Sequence, residues 1–303
     1  MIKYIPEKKF KENDVRELLE ISNKHNQFTN NGPVKYMLEQ EIKKRLNIPG
    51  KCVICLSSGT AAIHTLLNYL PDKEFVSSPF TFPAVALGDR VEISDDPGDK
   101  NLIVTNLFGT NCIKNHNDRI VIYDNCSSPI NLCQHGDYCC GSFHHTKYWG
   151  VGEGGFIVAP EDEYFAINAL TNFGFDFERR YKTNSFNYKM SDISAAYILS
   201  HIRNYDIQKH IEVQKKMVGL FGDLVFNYSD GIVYGCMPLV FDSPKSINEL
   251  RGFGIEAQKY YKPLNDLKEA QDLYERIIIL SLHMDLTDYD IEYMYSCIMR
   301  IKK

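Results

Sequence analysis

No apolar run in the 303-residue chain approaches the length needed to cross a bilayer; "RIIIL" and "RIVIY" are far too short. The opening residues, "MIKYIPEKKFKEND", are charged from the start and contain no apolar core of signal-peptide length. Internal repeats and low-complexity tracts are absent, which excludes solenoids and biased linkers. A basic excess is also missing. The formal net charge is −5 and no Lys/Arg stripe stands out, so nucleic acid is not an expected partner. No block of like charge is long enough to form an interaction tail. Together these absences predict a cytoplasmic globular protein that binds neither membrane nor nucleic acid.

What remains is ordinary in bulk. Hydrophobic residues make up 44% and charged residues 24%, as in typical globular proteins. The length suffices for one large domain and a smaller one. The nine cysteines (52, 55, 112, 126, 133, 139, 140, 236 and 297) are odd in number and fall mostly in apolar segments. Without a secretory signal they read as reduced thiols.

Apolar spacing organises the chain. Val15, Leu18, Leu19 and Ile21 share a helical face in residues 12–24. Pro33 can open a second helix that carries Val34, Met37, Leu38, Ile42 and Leu46. Strand-like "KCVICL", "EFVSSP", "RVEISD", "NLIVTNLF", "RIVIYDN", "YCCGSFH" and "GGFIVAP" then interleave with helical "GTAAIHTLLNYL", "FPAVALGD", "DEYFAINALTNFG" and "MSDISAAYILSHI". Such interleaving predicts an α/β domain with a mostly parallel sheet over residues 1–205. The pattern changes after about residue 205, and 206–303 read as a small α+β domain.

Ligands of open α/β sheets gather beyond the carboxyl ends of strands. Three such ends carry chemistry here. After "KCVICL", Ser57, Ser58, Gly59 and Thr60 lead into a helix, whose free amides favour an anion, although a plain Ser/Thr cap looks the same. "RIVIYDN" ends on Asp124, a carboxylate that is costly in an apolar setting unless it meets a cation or a strong donor. "GSFHHTKYWGVGEGG" places Lys147 just before a glycine-rich turn. A lysine used for carbonyl chemistry must be held near its electrophile and kept partly neutral. An anion cradle, a carboxylate and a lysine are what pyridoxal 5'-phosphate needs for its phosphate, ring nitrogen and aldehyde. Phe80 and Phe82, after the next strand, offer an aromatic face for the ring.

From about residue 27 onward, the chain resembles the DegT/DnrJ/EryC1/StrS family of sugar-nucleotide aminotransferases, within the fold-type I pyridoxal-phosphate enzymes. The matching segments, in order, are "FTNNGPVKYMLEQEI", "SSGTAAI", "SSPFTFPA", "SFHHTKYWGVGEGG", "NFGFD", "FNYKMSDISAA", "YYKPLND" and "LSLHMDLTDYDIEYM". The resemblance implies that Lys147 engages the cofactor's aldehyde and that Asp124 holds its pyridinium nitrogen. Gly59, Thr60 and Ser142 would bind the phosphate, and Phe82 would stack on the ring. Asn187 would reach the phosphate of a partner subunit, in a homodimer with shared sites. Ser127 stands where the family usually has a Gln or His that contacts the cofactor. Asn31, His144 and Tyr181 are candidate substrate contacts, and no metal is implied. Residues 205–245 look short for the family.

Within the family, "SFHHTK" and "GEGG" look more like members that aminate C4 of a nucleotide-linked 4-keto-6-deoxyhexose. The expected donor is L-glutamate and the expected acceptor dTDP-4-keto-6-deoxy-D-glucose, giving a dTDP-4-amino-4,6-dideoxyhexose. Other readings stay open: C3 amination of a 3-keto sugar nucleotide, a non-catalytic cofactor-binding regulator, and a sugar dehydratase. A metal site built from His144, His145, Cys139 and Cys140 is disfavoured, because adjacent strand residues point to opposite faces. Cys52-x-x-Cys55 also lacks a second pair at zinc spacing.

Overall fold

The computed structural model describes residues 1–86, 89–110, 119–131, 138–175, 180–181 and 185–302; Cys112 and Cys133 lie outside them. The chain starts with helices α1 (Glu12–Lys24) and α2 (Pro33–Leu46). The strands β1 (Lys51–Leu56), β2 (Phe75–Ser77), β3 (Val91–Ile93), β4 (Asn101–Thr105), β5 (Val121–Asp124), β6 (Tyr138–Ser142) and β7 (Gly155–Pro160) follow, with α3 (Gly59–Tyr69) between β1 and β2. They form one seven-stranded sheet in the order β1-β7-β6-β5-β4-β2-β3. The pairings from β6 to β3 are parallel, and β7 runs against both of its neighbours, β1 and β6. The expected α/β class with a mostly parallel sheet is therefore what forms.

Strand alternation explains how both faces of this sheet are covered. Val53, Cys55, Val76, Leu102, Val121, Tyr123 and Val158 point one way. They pack with Val15, Leu18, Val34, Leu38 and Ile42 of α1 and α2, and with α5 (Asp192–Asn204) through Ala195, Ile198, Leu199 and Ile202. Cys52, Ile54, Leu56, Ile103, Ile122, Cys140 and Ile157 point the other way. Their partners are Ala62, Ile63 and Leu66 of α3 and Ile167 of α4 (Tyr164–Leu170). Two boundaries differ from expectation. β6 stops at Ser142, so His144 and His145 lie in a turn rather than on a strand; Lys147 N–H closes that turn on the His144 carbonyl at 2.8 Å. Within "FPAVALGD", Pro83–Ala86 form a 3-10 turn, and residues 87 and 88 lie outside the described residues.

Beyond α5 the chain enters α6 (Ile207–Phe221), β8 (Met237–Val240), α7 (Asn248–Gly252), β9 (Ala257–Gln258), α8 (Lys268–Arg276), β10 (Ile277–Leu280) and α9 (Asp288–Lys302). β8-β10-β9 is a three-stranded antiparallel sheet whose core, led by the fully buried Ile277–Leu280, packs on α6 and α9. The expected division at residue 205 separates α5 from α6. Ile2 and Tyr4 nonetheless pack with this second cluster, and Ile2 bridges to Ile255.

Candidate active site

A cavity of about 380 Å³ opens where the strands that run with β1 end, the position expected for a ligand in an open α/β sheet. Ser58, Gly59 and Thr60 reach it from the end of β1, and Phe82 and Ala84 from the segment after β2. Thr105 ends β4. Asp124, Cys126 and Ser127 follow from β5, and Ser142, His144, Thr146 and Lys147 from β6. The sequence places these residues far apart; sheet order brings them to one point.

Each group is held from behind. Ser58 caps α3, its hydroxyl accepting from Ala61 N–H at 3.0 Å. The amides at the first positions of the helix have no intrahelical acceptor, so they remain available to an anion. Ser142 Oγ accepts from His144 N–H at 3.1 Å, which leaves its own proton to donate. A Cβ at Gly59 would come within 2.8 Å of Cys126 Sγ and 3.1 Å of Ser142 Cβ. The cradle is thus shaped for bare backbone at Gly59.

Asp124 is 4% exposed, and its Oδ1 accepts from Cys126 N–H at 3.0 Å. Among the described residues it forms no salt bridge. A buried carboxylate in that state is costly, and a protonated ring nitrogen is the kind of group that would satisfy it. Burial pushes the Cys126 thiol well above its ordinary range; the Asp124 charge adds to that and Lys147 opposes it. Burial likewise lifts Cys236 to about 11 against the same lysine charge. Lys147 therefore lies close to both thiols, inside the cavity. Anion cradle, unpaired carboxylate, lysine and the half-exposed Phe82 together fit pyridoxal phosphate.

Residues 129–223, which include the lysine turn, match the DegT/DnrJ/EryC1/StrS aminotransferase family. That stretch of the chain is similar to the family. Across 94% of this chain and 94% of the relative, it is 26% identical to a dTDP-4-amino-4,6-dideoxy-D-glucose transaminase of Shigella dysenteriae. The fold matches that of a putative PLP-dependent aminotransferase from Bacillus cereus, with a TM-score of 0.84 at 20% identity over 98% of this chain and 99% of the other. It also matches DesI, solved in the presence of its TDP-sugar product, with a TM-score of 0.83 at 17% identity over 100% and 93% of the two chains.

Not every expected residue reaches the cavity. Asn31, Tyr181 and Asn187 do not line it. Asn31 is exposed at φ +62° and accepts from Lys35 Nζ at 3.1 Å. Asn187 is exposed and accepts from Lys189 Nζ at 2.6 Å, and Tyr181 is 75% exposed. His144 does line the cavity. Its Nδ1 meets Thr146 Oγ1 at 2.9 Å and its Nε2 lies 3.6 Å from Glu153. His145 is exposed and outside the cavity lining.

Sequence reasoning missed the opposite wall. Tyr4 comes from the N-terminal segment, and Gly235, Cys236, Tyr260 and Tyr261 come from the chain between α6 and α8. Ser127 Oγ meets the Tyr261 hydroxyl at 2.8 Å. Burial raises the Tyr261 phenol, so it stays protonated. The stretch "YYKPLND" was the one available signal for this wall, and it marks the family without showing where its tyrosines point.

Proposed function

We propose that this protein is a pyridoxal-phosphate aminotransferase acting on a nucleotide sugar. It transfers the amino group of L-glutamate to C4 of dTDP-4-keto-6-deoxy-D-glucose, giving a dTDP-4-amino-4,6-dideoxyhexose. The convergence of Lys147 and Asp124 with the Gly59–Thr60–Ser142 cradle in one cavity carries this reading. The Shigella relative is named for C4 chemistry on the same kind of sugar, which supports the finer assignment.

When bound, pyridoxal phosphate supplies an aldehyde that carries the amino group and a pyridinium ring that takes up the electron pair left by a departing proton. The protein's own groups do the rest. Lys147 would hold the cofactor's aldehyde carbon at rest and, once freed as an amine, would act as base at the donor's α-carbon in the first half-reaction and as acid at the acceptor's C4 in the second, after the donor's keto acid has left. Asp124 keeps the ring nitrogen protonated. The amides of Gly59 and Thr60 and the Ser142 hydroxyl hold the phosphate, and Phe82 shields the ring face from water. Tyr4, Cys236 and Tyr260 present an apolar side suited to the methyl group of a 6-deoxy sugar, while His144 and Glu153 offer polar contacts to its hydroxyls.

A homodimer with shared sites belongs to the same reading. The exposure of Phe173, Tyr181, Phe186 and Asn187, with Asn187 and Tyr181 outside this chain's own cavity lining, supports it: they would form part of the surface through which Asn187 reaches a partner's phosphate.

The test uses the full-length holoenzyme with L-glutamate and a panel of dTDP- and UDP-linked 4-keto and 3-keto sugars, with NMR of the products. An amine at C4 of the dTDP sugar is the expected result. An amine at C3 would replace the regiochemistry. Bound cofactor with no amine formed on any acceptor would favour a non-catalytic regulator.

A further inference from the structure

The first eleven residues run from the small unit to the large one and pass the lysine turn on the way. Ile2 N–H donates to the Gly254 carbonyl at 2.8 Å, and Tyr4 N–H to Glu256 Oε2 at 2.8 Å, which fixes one end to the small unit. At the other end, Lys11 N–H donates to Ser200 Oγ at 2.9 Å on α5. Between these anchors lie two contacts to the turn. Lys8 Nζ donates to the Lys147 carbonyl at 3.3 Å. Lys9 N–H donates to His201 Nδ1 at 2.8 Å, and the same ring's Nε2 lies 2.8 Å from the Tyr148 carbonyl.

The partners settle the state of His201. A peptide N–H can only donate, so Nδ1 must accept; a carbonyl can only accept, so Nε2 must carry the proton. His201 is fully buried and therefore a neutral bridge between the N-terminal segment and the residue after Lys147. Burial lowers its pKa to about 4, consistent with that neutral state. The two successive carbonyls of the lysine turn thus both end on this segment, one directly and one through His201. Tyr4 on the same segment faces the cavity.

We propose that residues 1–11 are a positioning strap for the amino-transfer reaction, acting through Lys8 and His201 on the peptide that carries Lys147. The proposal rests on the reading of Lys147 as the reacting residue. The side chain of Lys147 starts from the peptide units that the strap fixes. Small displacements there are costly, because a reacting group about 1 Å out of place can lose on the order of 100-fold in rate. The same strap is pinned to the unit that supplies Tyr260 and Tyr261, so the position of the lysine turn and that of the aromatic wall are coupled.

The experiment compares Lys8→Met, Lys8→Arg, His201→Leu and His201→Gln in the full-length protein. Glutamine can accept and donate as the neutral imidazole does, and arginine keeps a donor. Peptide hydrogen exchange over residues 143–151 is read without added cofactor, and kcat and KM are read with it. Lys8→Met and His201→Leu should speed exchange of the turn and lower kcat by about 10- to 100-fold, with KM for both substrates little changed. Lys8→Arg and His201→Gln should restore both readouts. Unchanged exchange and kcat in Lys8→Met and His201→Leu would overturn the proposal. If His201→Leu fails to fold, the Lys8 pair and His201→Gln still decide it. Absence of transfer in the wild-type protein would sink the functional reading instead, while the exchange arms still judge the strap.

Discussion

Ser58, Gly59, Thr60, Asp124 and Ser142 reach the cavity from the ends of strands in one sheet, whereas Tyr4, Cys236, Tyr260 and Tyr261 reach it from segments that share no strand with that sheet. The first wall carries charge and hydrogen-bond donors; the second is aromatic and nearly without charge. Sheet geometry fixes the first wall, since neighbouring strands keep their spacing whatever else moves. The second is set by side-chain packing on the core around β8, β9 and β10 and by hydrogen bonds such as that of Ser127 with Tyr261. The rigid sheet wall suits the cofactor, which stays, and the aromatic wall suits sugars, which come and go.

The largest effect should come from the rigid wall. Lys147→Ala should abolish the absorption of lysine-bound cofactor and lower transfer by roughly 100- to 10,000-fold. Full absorption and turnover in that variant would end the assignment.

Acid should act next, on the supports of both walls. His201 and His210 are buried neutral, each with its pKa lowered by burial to about 4. Their folded pKa values lie below the ordinary 6.5, so the unfolded chain binds more protons. Stability should therefore fall as pH drops from about 6.5 toward 4, on the order of 3 kcal/mol for each histidine. His201→Gln and His210→Gln should each flatten that part of the curve, measured by urea unfolding at a series of pH values. An equally steep fall in the double variant would remove these histidines as the cause.

A third comparison tests how tightly the sheet side is packed. A Cβ at Gly155 would sit 2.4 Å from the Ser58 backbone, whereas at Gly152 it would meet nothing within 4 Å. Gly155→Ala should cost about 1–3 kcal/mol and weaken cofactor binding, because it pushes on the start of α3. Gly152 has φ +70°, so its alanine variant should show only the smaller backbone cost and leave cofactor affinity intact. Equal cofactor affinities in the two would contradict the role given to Gly155.

The smallest effect belongs to the aromatic wall. Tyr261→Phe removes one hydrogen bond to Ser127 and keeps the ring, at about 0.5–1.5 kcal/mol. It should raise KM for the sugar a few-fold and leave cofactor affinity unchanged; a loss of cofactor would place Tyr261 on the other side of the comparison.

The same division governs what the sequence disclosed. Gly59, Asp124 and Lys147 were legible because each follows an apolar strand, and strand ends of one sheet must lie together. α1 and α2 were legible from the spacing of Val15, Leu18, Val34, Leu38 and Ile42. Lys35 and Glu39 broke that rule: both are buried on α2 and pair at 2.6 Å. Periodicity assigns such residues to solvent, since nothing local shows that Cys55 N–H and the Tyr164 hydroxyl come to meet Glu39. Tyr4 and Tyr261 were missed for a related reason. Their approach depends on how two units dock, and contacts between residues some 250 positions apart leave no periodic trace. Asn31, Tyr181 and Asn187 were named from the family pattern, and this chain alone does not bring them to its cavity.

The reversed strand β7 has a consequence for synthesis. β1 waits about a hundred residues for β7, its partner in the sheet, and at ribosomal speed that is about 5–20 s with an apolar strand unpaired. Ile2 waits longer still, until Ile255 has been made. A nascent chain can therefore finish the parallel part of its sheet while the lysine turn lacks its strap, so catalytic competence arrives late, well after the cofactor's cradle has taken shape.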